Sequence, residues 1–186
     1  MKLLLDHGCK ILSTPRCICR PIKEDDIHDL FRYINHNKNV LQYFLAPYFE
    51  HIEDYSIDSL IQRSKDGILI WVIEVNSEAI GFIIEQTRDE SARSIELGYA
   101  IGEPYWNQGY ISEVMQHICT YLFNECNFHK ISLSALIDNL ASIRVMEKLG
   151  FMKEGICRDE VFYHERFHDV VYYYKINPSE TKGDSN

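Results

Sequence analysis

The residues best placed to do chemistry begin at a turn. Gln108-Gly109-Tyr110-Ile111-Ser112 follows the strand-like run Ile95 to Ile101 and opens an amphipathic helix. The first amides of a helix have no intrahelical partner, and the macrodipole puts positive potential on them. A tight turn that presents those amides is an anion site, which points to a phosphate-bearing ligand. Gly109 lets the backbone come close to phosphate oxygens, and Ser112 can add a hydroxyl in the first turn. Taken alone, Gly109 would favour an ordinary helix N-terminus with glycine in the preceding loop. A second helix starts at Asn139-Leu140-Ala141-Ser142, where Asn139 suits capping, and stops at Gly150-Phe151. Glu96 shares a strand face with the small residues Gly98 and Ala100, which leaves room beside its carboxylate. It is a candidate general base, or equally an exposed strand carboxylate or a partner of Arg93.

A further string calls for chemistry that its surroundings deny. His164-Glu165-Arg166-Phe167-His168 matches His-Glu-x-x-His, which binds zinc when both histidines share one face of a helix. Here it lies between Val161-Phe162-Tyr163 and Val170 to Tyr174, both strand-like. On a strand the histidines would stand about 13 Å apart. A turn is their expected home, and no metal site is expected.

The elements that must position these groups follow from periodicity. Glu24 to Asn35 and Glu53 to Ser64 have helical apolar spacing. Asn37 to Phe49 is aromatic and irregular. Ile68 to Val75 and Ala79 to Glu85 read as strands joined by hairpin chemistry at Asn76-Ser77-Glu78. After Gly109, positions 111, 114, 115, 118, 119 and 122 form a broad apolar stripe. Lys130 to Ile137, Met152 to Phe162 and Phe167 to Ile176 read as strands, and Asn139 to Leu149 as a helix. With a short strand at Arg16 to Arg20 the order is β-α-α-β-β-β-α-β-α-β-β. Residues 1–14 read as an arm, 15–177 as one domain and 178–186 as a polar, disordered tail.

The chain has 186 residues, enough for one well-cored domain, with 46% hydrophobic and 25% charged residues. No run is long and apolar enough to span a membrane, and the start carries no signal-peptide pattern, so a cytoplasmic location is expected. A net charge of −9 disfavours direct nucleic-acid binding. It favours cationic substrates through steering, or simply solubility. The six cysteines are scattered, as reduced thiols would be.

The order of elements, the Tyr105-Trp106-Asn107-Gln108-Gly109-Tyr110-Ile111-Ser112-Glu113 turn and the Asn139-Leu140-Ala141-Ser142…Glu147-Lys148-Leu149-Gly150-Phe151 helix resemble the GNAT superfamily of N-acetyltransferases. The likeness runs from Arg16 to Ile176 and is greatest to the RimJ/RimL-like ribosomal-protein N-terminal acetyltransferases. It implies a single-domain α/β fold, a mixed, mostly antiparallel sheet flanked by about four helices. It also implies acetyl-CoA as cosubstrate, with its pyrophosphate held by Gln108, Gly109, Tyr110, Ile111 and Ser112. The resemblance places Asn139 at the pantetheine and Ser142 near the thioester sulfur, and the backbone of Ile101 and Gly102 could pair with the pantetheine arm. Two positions depart from the pattern. Trp106 stands where many relatives have Arg or Gln, and Ile111 replaces a usual Gly or Ala, which would narrow the approach to the pyrophosphate.

The implied reaction is direct attack of a neutral amine on the acetyl-CoA carbonyl in a ternary complex. Glu96 or Glu160 is the candidate base, with Ser142 as acid or relay. Tyr43, Phe44, Tyr48 and Phe49 would wall the acceptor side, or build core. The acceptor could be a protein N-terminus, or a small polycation such as a polyamine or aminoglycoside. A non-catalytic acyl-CoA-binding module is the alternative from another class. Either a monomer or a homodimer is compatible with the chain.

Overall fold

The computed structural model describes residues 9–180. Eight strands pair in one sheet of order β1-β2-β3-β4-β5-β6-β8-β7. They are β1 Leu12–Ser13, β2 Ile18–Pro21, β3 Ile70–Val75, β4 Glu78–Asp89, β5 Ser94–Ile101, β6 Lys130–Leu136, β7 Met152–Tyr163 and β8 Arg166–Ile176. Five α-helices join them: α1 Ile27–Leu30, α2 Lys38–Leu41, α3 Asp58–Lys65, α4 Tyr110–Asn124 and α5 Leu140–Lys148. A 3-10 turn at Glu24–Asp26 and a π turn at Phe31–Asn35 extend α1 to the length its apolar spacing predicts. The fold is the expected α/β class, with β5 and β6 parallel and the neighbouring registered pairs antiparallel.

Three elements differ from the expectation. The helix expected over Glu53 to Ser64 is split into a 3-10 turn at Ile52–Asp54 and α3 from Asp58, because the chain is extended at Tyr55 (ψ 137°) and the Asp58 amide donates to the Ser56 hydroxyl (3.0 Å). The four-residue α2 lies in the aromatic stretch read as irregular, capped by Asn37, whose side chain accepts from the Asn39 and Val40 amides. The two-residue β1 lies in the stretch read as an arm and pairs with Cys19 and Ile18. The rest of that arm, 1–8, and the tail residues 181–186 lie outside the described residues. The start of the tail is anchored: Glu180 takes hydrogen bonds from Arg93 (2.8 Å) and is paired with His129.

Contacts group the fold into two compact units, one of residues up to Glu85 with Tyr99–His117, the other of Gln86–Gly98 with Ile118 onward. In the first, the β3–β4 hairpin turns on Asn76 and Ser77, both at positive φ (50° and 66°), the twist-matched geometry for a two-residue turn. Its core gathers Leu30, Ile34, Ile57, Ile70, Val72 and Phe82. Phe44 meets Phe82 edge to face at 5.4 Å, and Phe49 packs on Tyr55 at 5.4 Å, so these two aromatics build core. Gly81 allows close strand approach, because an added Cβ would lie 2.3 Å from the Ala100 carbonyl oxygen.

In the second unit, Ile95 and Leu97 of β5 are buried while Glu96 and Gly98 are half-buried, the alternation a one-sided core requires. Gly150 ends α5 at φ +76°, and the Gly150 and Phe151 amides close on the Glu147 and Met146 carbonyls. That is the left-handed cap glycine provides. The β7–β8 turn is His164-Glu165, both at positive φ, with His168 in β8. The His-Glu-x-x-His string therefore has no helix to share.

Candidate active site

The first group of candidate residues is the turn into α4. Asn107 (φ 58°) and Gly109 (φ 81°) adopt the left-handed conformation and swing the chain into the helix. The first α4-closing bond recorded runs from the Glu113 amide to the Gly109 carbonyl. The amides of Tyr110, Ile111 and Ser112 have no partner among the described residues. Three orphan N–H groups behind a glycine are the donor set a phosphate oxygen needs, so the turn fits the pyrophosphate of acetyl-CoA. Ile111 does not obstruct the turn, since its side chain is buried at 7% exposure in the core. Trp106 is likewise turned inward, donating its indole N–H to the Ile101 carbonyl (2.8 Å).

That bond affects the expected backbone contacts. The Ile101 carbonyl already accepts from Trp106, and the Gly102 amide donates to Ile80 (2.8 Å). A cofactor N–H could reach Ile101 only through the second lone pair of its oxygen. Gly102 also has a packing reason to be glycine, because an added Cβ would lie 2.9 Å from Cβ of Tyr33.

The second group lies in the other unit, on strands β5 to β8. Ser134 donates its hydroxyl to Glu96 Oε1 at 2.7 Å. Arg93, the alternative partner of Glu96, is paired with Glu180 instead. Ser134 faces Tyr172 across the β6–β8 ladder, and Tyr172 faces Gly155 across β8–β7. Burial raises the Tyr172 phenol above its usual range, and the charges of Glu96 and Glu160 raise it further. The structure thus gathers both candidate bases around one neutral tyrosine. Glu160 reaches it because β7 loses register between Cys157 and Val161, with Asp159 at φ 50°. Ser134 and Tyr172 escaped the sequence reading. Strand alternation within Tyr172-Tyr173-Tyr174 was the available signal, since it turns Tyr172 away from the buried Tyr173.

Asn139 caps α5: its Oδ1 accepts the Ser142 amide at 3.1 Å, and Ser142 is buried at 8% exposure. Capping is therefore realised there, through the Ser142 amide.

Cys17, Cys19 and Cys119 are buried and poor nucleophiles. Burial pushes the Cys19 and Cys119 thiols up to about 12 and raises Cys17, whereas Cys157 is exposed. Iodoacetamide at pH 8 is expected to modify Cys157 first in the folded protein, and all six cysteines only after unfolding, as read by intact mass. No described helix is long and apolar enough to cross a membrane.

Comparison with known proteins identifies the family. Residues 16–152 match the acetyltransferase (GNAT) domain family. The uncharacterized N-acetyltransferase YoaA of Bacillus subtilis is 32% identical over 178 residues, covering 91% of this chain and 98% of that protein. Among solved structures, the ribosomal-protein acetyltransferase RimL with coenzyme A superposes with a TM-score of 0.76 at 18% identity, over 90% of this chain and 98% of that one. Spermidine N-acetyltransferase from Vibrio cholerae, with coenzyme A and spermine, gives 0.75 at 22% identity, over 87% and 96%. The chain belongs to the GNAT acetyltransferase family and is an acetyl-CoA-dependent N-acetyltransferase.

Proposed function

We propose that the enzyme is of the RimJ/RimL type and acetylates an α-amine, such as the N-terminus of a ribosomal protein, by direct attack in a ternary complex. The observation that carries this reading is the Glu96–Ser134 pair, a half-buried carboxylate with one oxygen fixed by a hydroxyl at 2.7 Å. Such a group can accept a proton from an attacking amine. An α-amine, with a reference pKa of about 7.7–8.0, is already about a tenth neutral near pH 7, so a modest base suffices. A lysine amine near 10.4 is neutral to less than about one part in a thousand and demands more.

In this mechanism the Tyr110, Ile111 and Ser112 amides hold the pyrophosphate and Asn139 lies along the pantetheine. Glu96 takes the proton of the attacking amine as the C–N bond forms, with Glu160 the alternative base. Ser142 returns a proton to sulfur as the C–S bond breaks. The buried, protonated cysteines favour direct transfer over an acetyl-enzyme.

Glu96 and Glu160 together beside Tyr172 also favour a second reading, a polyamine acceptor whose spaced ammonium groups meet both carboxylates. Coenzyme A release measured with N-terminal peptides, free lysine side-chain peptides, spermidine and spermine separates the two. Turnover of peptides by their α-amine supports the first reading, and turnover of polyamines alone replaces it with the second.

The cradle has its own test. Gly109→Glu adds a carboxylate where φ is 81° and phosphate is expected, and should abolish acetyl-CoA binding in calorimetry while wild type saturates. Unchanged binding by the variant would move the pyrophosphate elsewhere.

A further inference from the structure

The turn into α4 has a companion that the reaction as described does not use. Arg16 follows β1 in a tight turn closed by the Thr14 amide on the Cys17 carbonyl (2.9 Å), and three anchors fix its side chain. Its Nε donates to Glu113 Oε2 at 2.6 Å, and its Nη1 donates to the Gln108 carbonyl at 2.9 Å. Its guanidinium carbon sits 4.3 Å from the centre of the Tyr110 ring. Glu113 is held in turn by the Arg16 amide (2.8 Å) and the Thr14 hydroxyl (2.6 Å). Partial burial alone would raise the Glu113 carboxyl. The bonds from Thr14 and Arg16 outweigh that and keep it ionised below the ordinary range.

Every anchor belongs to the residues that frame the cradle, and the free end of the guanidinium faces it. Nη2 stands 3.6 Å from the position a Gly109 Cβ would occupy. No hydrogen bond from Nη2 is recorded among the described residues, while Nε and Nη1 are engaged. A guanidinium has five N–H donors, so donors remain after these two bonds. Holding an arginine in one rotamer costs side-chain entropy, and here that cost is met before any ligand arrives. Glu113 balances the charge of Arg16 in the free enzyme. An incoming diphosphate would meet a fixed donor fork beside three orphan amides.

We propose that Arg16 is a pyrophosphate-binding residue of the acetyl-CoA site, completing the cradle of Tyr110, Ile111 and Ser112 from outside α4. The proposal rests on the cradle reading given above, and the test separates the two.

Steady-state KM is measured for acetyl-CoA, for acetyl-3′-dephospho-CoA and for S-acetyl-pantetheine, which lacks the diphosphate, in wild type, Arg16→Gln, Arg16→Lys and Gly109→Glu. Arg16→Gln should raise KM about ten-fold for both diphosphate donors, the low end for a charged hydrogen bond because Arg16 is partly exposed. Its KM for S-acetyl-pantetheine should not change, and Arg16→Lys should fall between, since a point charge replaces a fork. A merely structural role would impair all three donors together, and that outcome overturns the proposal. A loss seen with acetyl-CoA but not with the dephospho donor would place Arg16 on the 3′-phosphate and overturn it too. If Gly109→Glu loses the preference for diphosphate donors and Arg16→Gln keeps it, Arg16 is excluded while the cradle stands. If Gly109→Glu keeps the preference, the cradle reading itself falls.

Discussion

Glu96→Gln is expected to lower kcat by about 10²- to 10⁴-fold, the usual contribution of a positioned general base. The amide is nearly isosteric and can still accept from the Ser134 hydroxyl, so the substitution removes proton affinity and little else. KM for acetyl-CoA should stay within about two-fold of wild type, because the proton acceptor acts on the transition state rather than on cofactor binding. Ser134→Ala is expected to cost less, since it loosens the carboxylate without removing it. Glu160→Gln is the decisive comparison. A kcat loss confined to that variant, with Glu96→Gln near wild type, would transfer the role of base across the Tyr172 ring to Glu160.

Asp26→Ala is expected to destabilise the protein by about 3 kcal/mol, the low end of the cost of breaking a buried ion pair, because Glu74 still holds one side of the Arg20 guanidinium. Arg20 is 8% exposed and Asp26 3% exposed, and they meet in a two-pronged pair at 2.9 and 2.7 Å. Glu74 on β3 takes the Arg20 Nε at 2.5 Å, and the Lys23 amide donates to Asp26 at 2.8 Å. The cluster ties β2 to β3 and to the turn that starts α1. Urea unfolding followed by circular dichroism measures the loss. The double variant Arg20→Met with Asp26→Leu should recover part of it, because it removes the buried guanidinium as well and leaves only the Glu74 carboxylate, 19% exposed, to be hydrated. A loss below about 1 kcal/mol for Asp26→Ala would mean that water reaches the guanidinium and the pair is not buried in solution.

Much of this enzyme was legible in one dimension. The apolar spacing of α4 and the alternation of β5 repeat over a few residues, and local sterics fix what such periods can form. Gly109 and Gly150 fall where φ must be positive, at 81° and 76°, a demand that glycine answers within its own residue. Those local features were enough to point to the anion turn and, through resemblance, to the family.

The neighbours that give each group its role were not legible, because they come from distant parts of the chain. Arg16 and Glu113 are 97 positions apart, and β1, which precedes the Arg16 turn, is too short for any periodicity to show. Ser134 reaches Glu96 across 38 positions, on the strand that happens to lie parallel beside it. Glu160 comes to Tyr172 only through a loss of register in β7, and a shift of one residue would have turned it to the other face. Sheet order and register are settled by the packing of the whole chain. The identity of the chemical groups was therefore present from the start, whereas their partners, and with them the division into base, clamp and cap, arose only on folding.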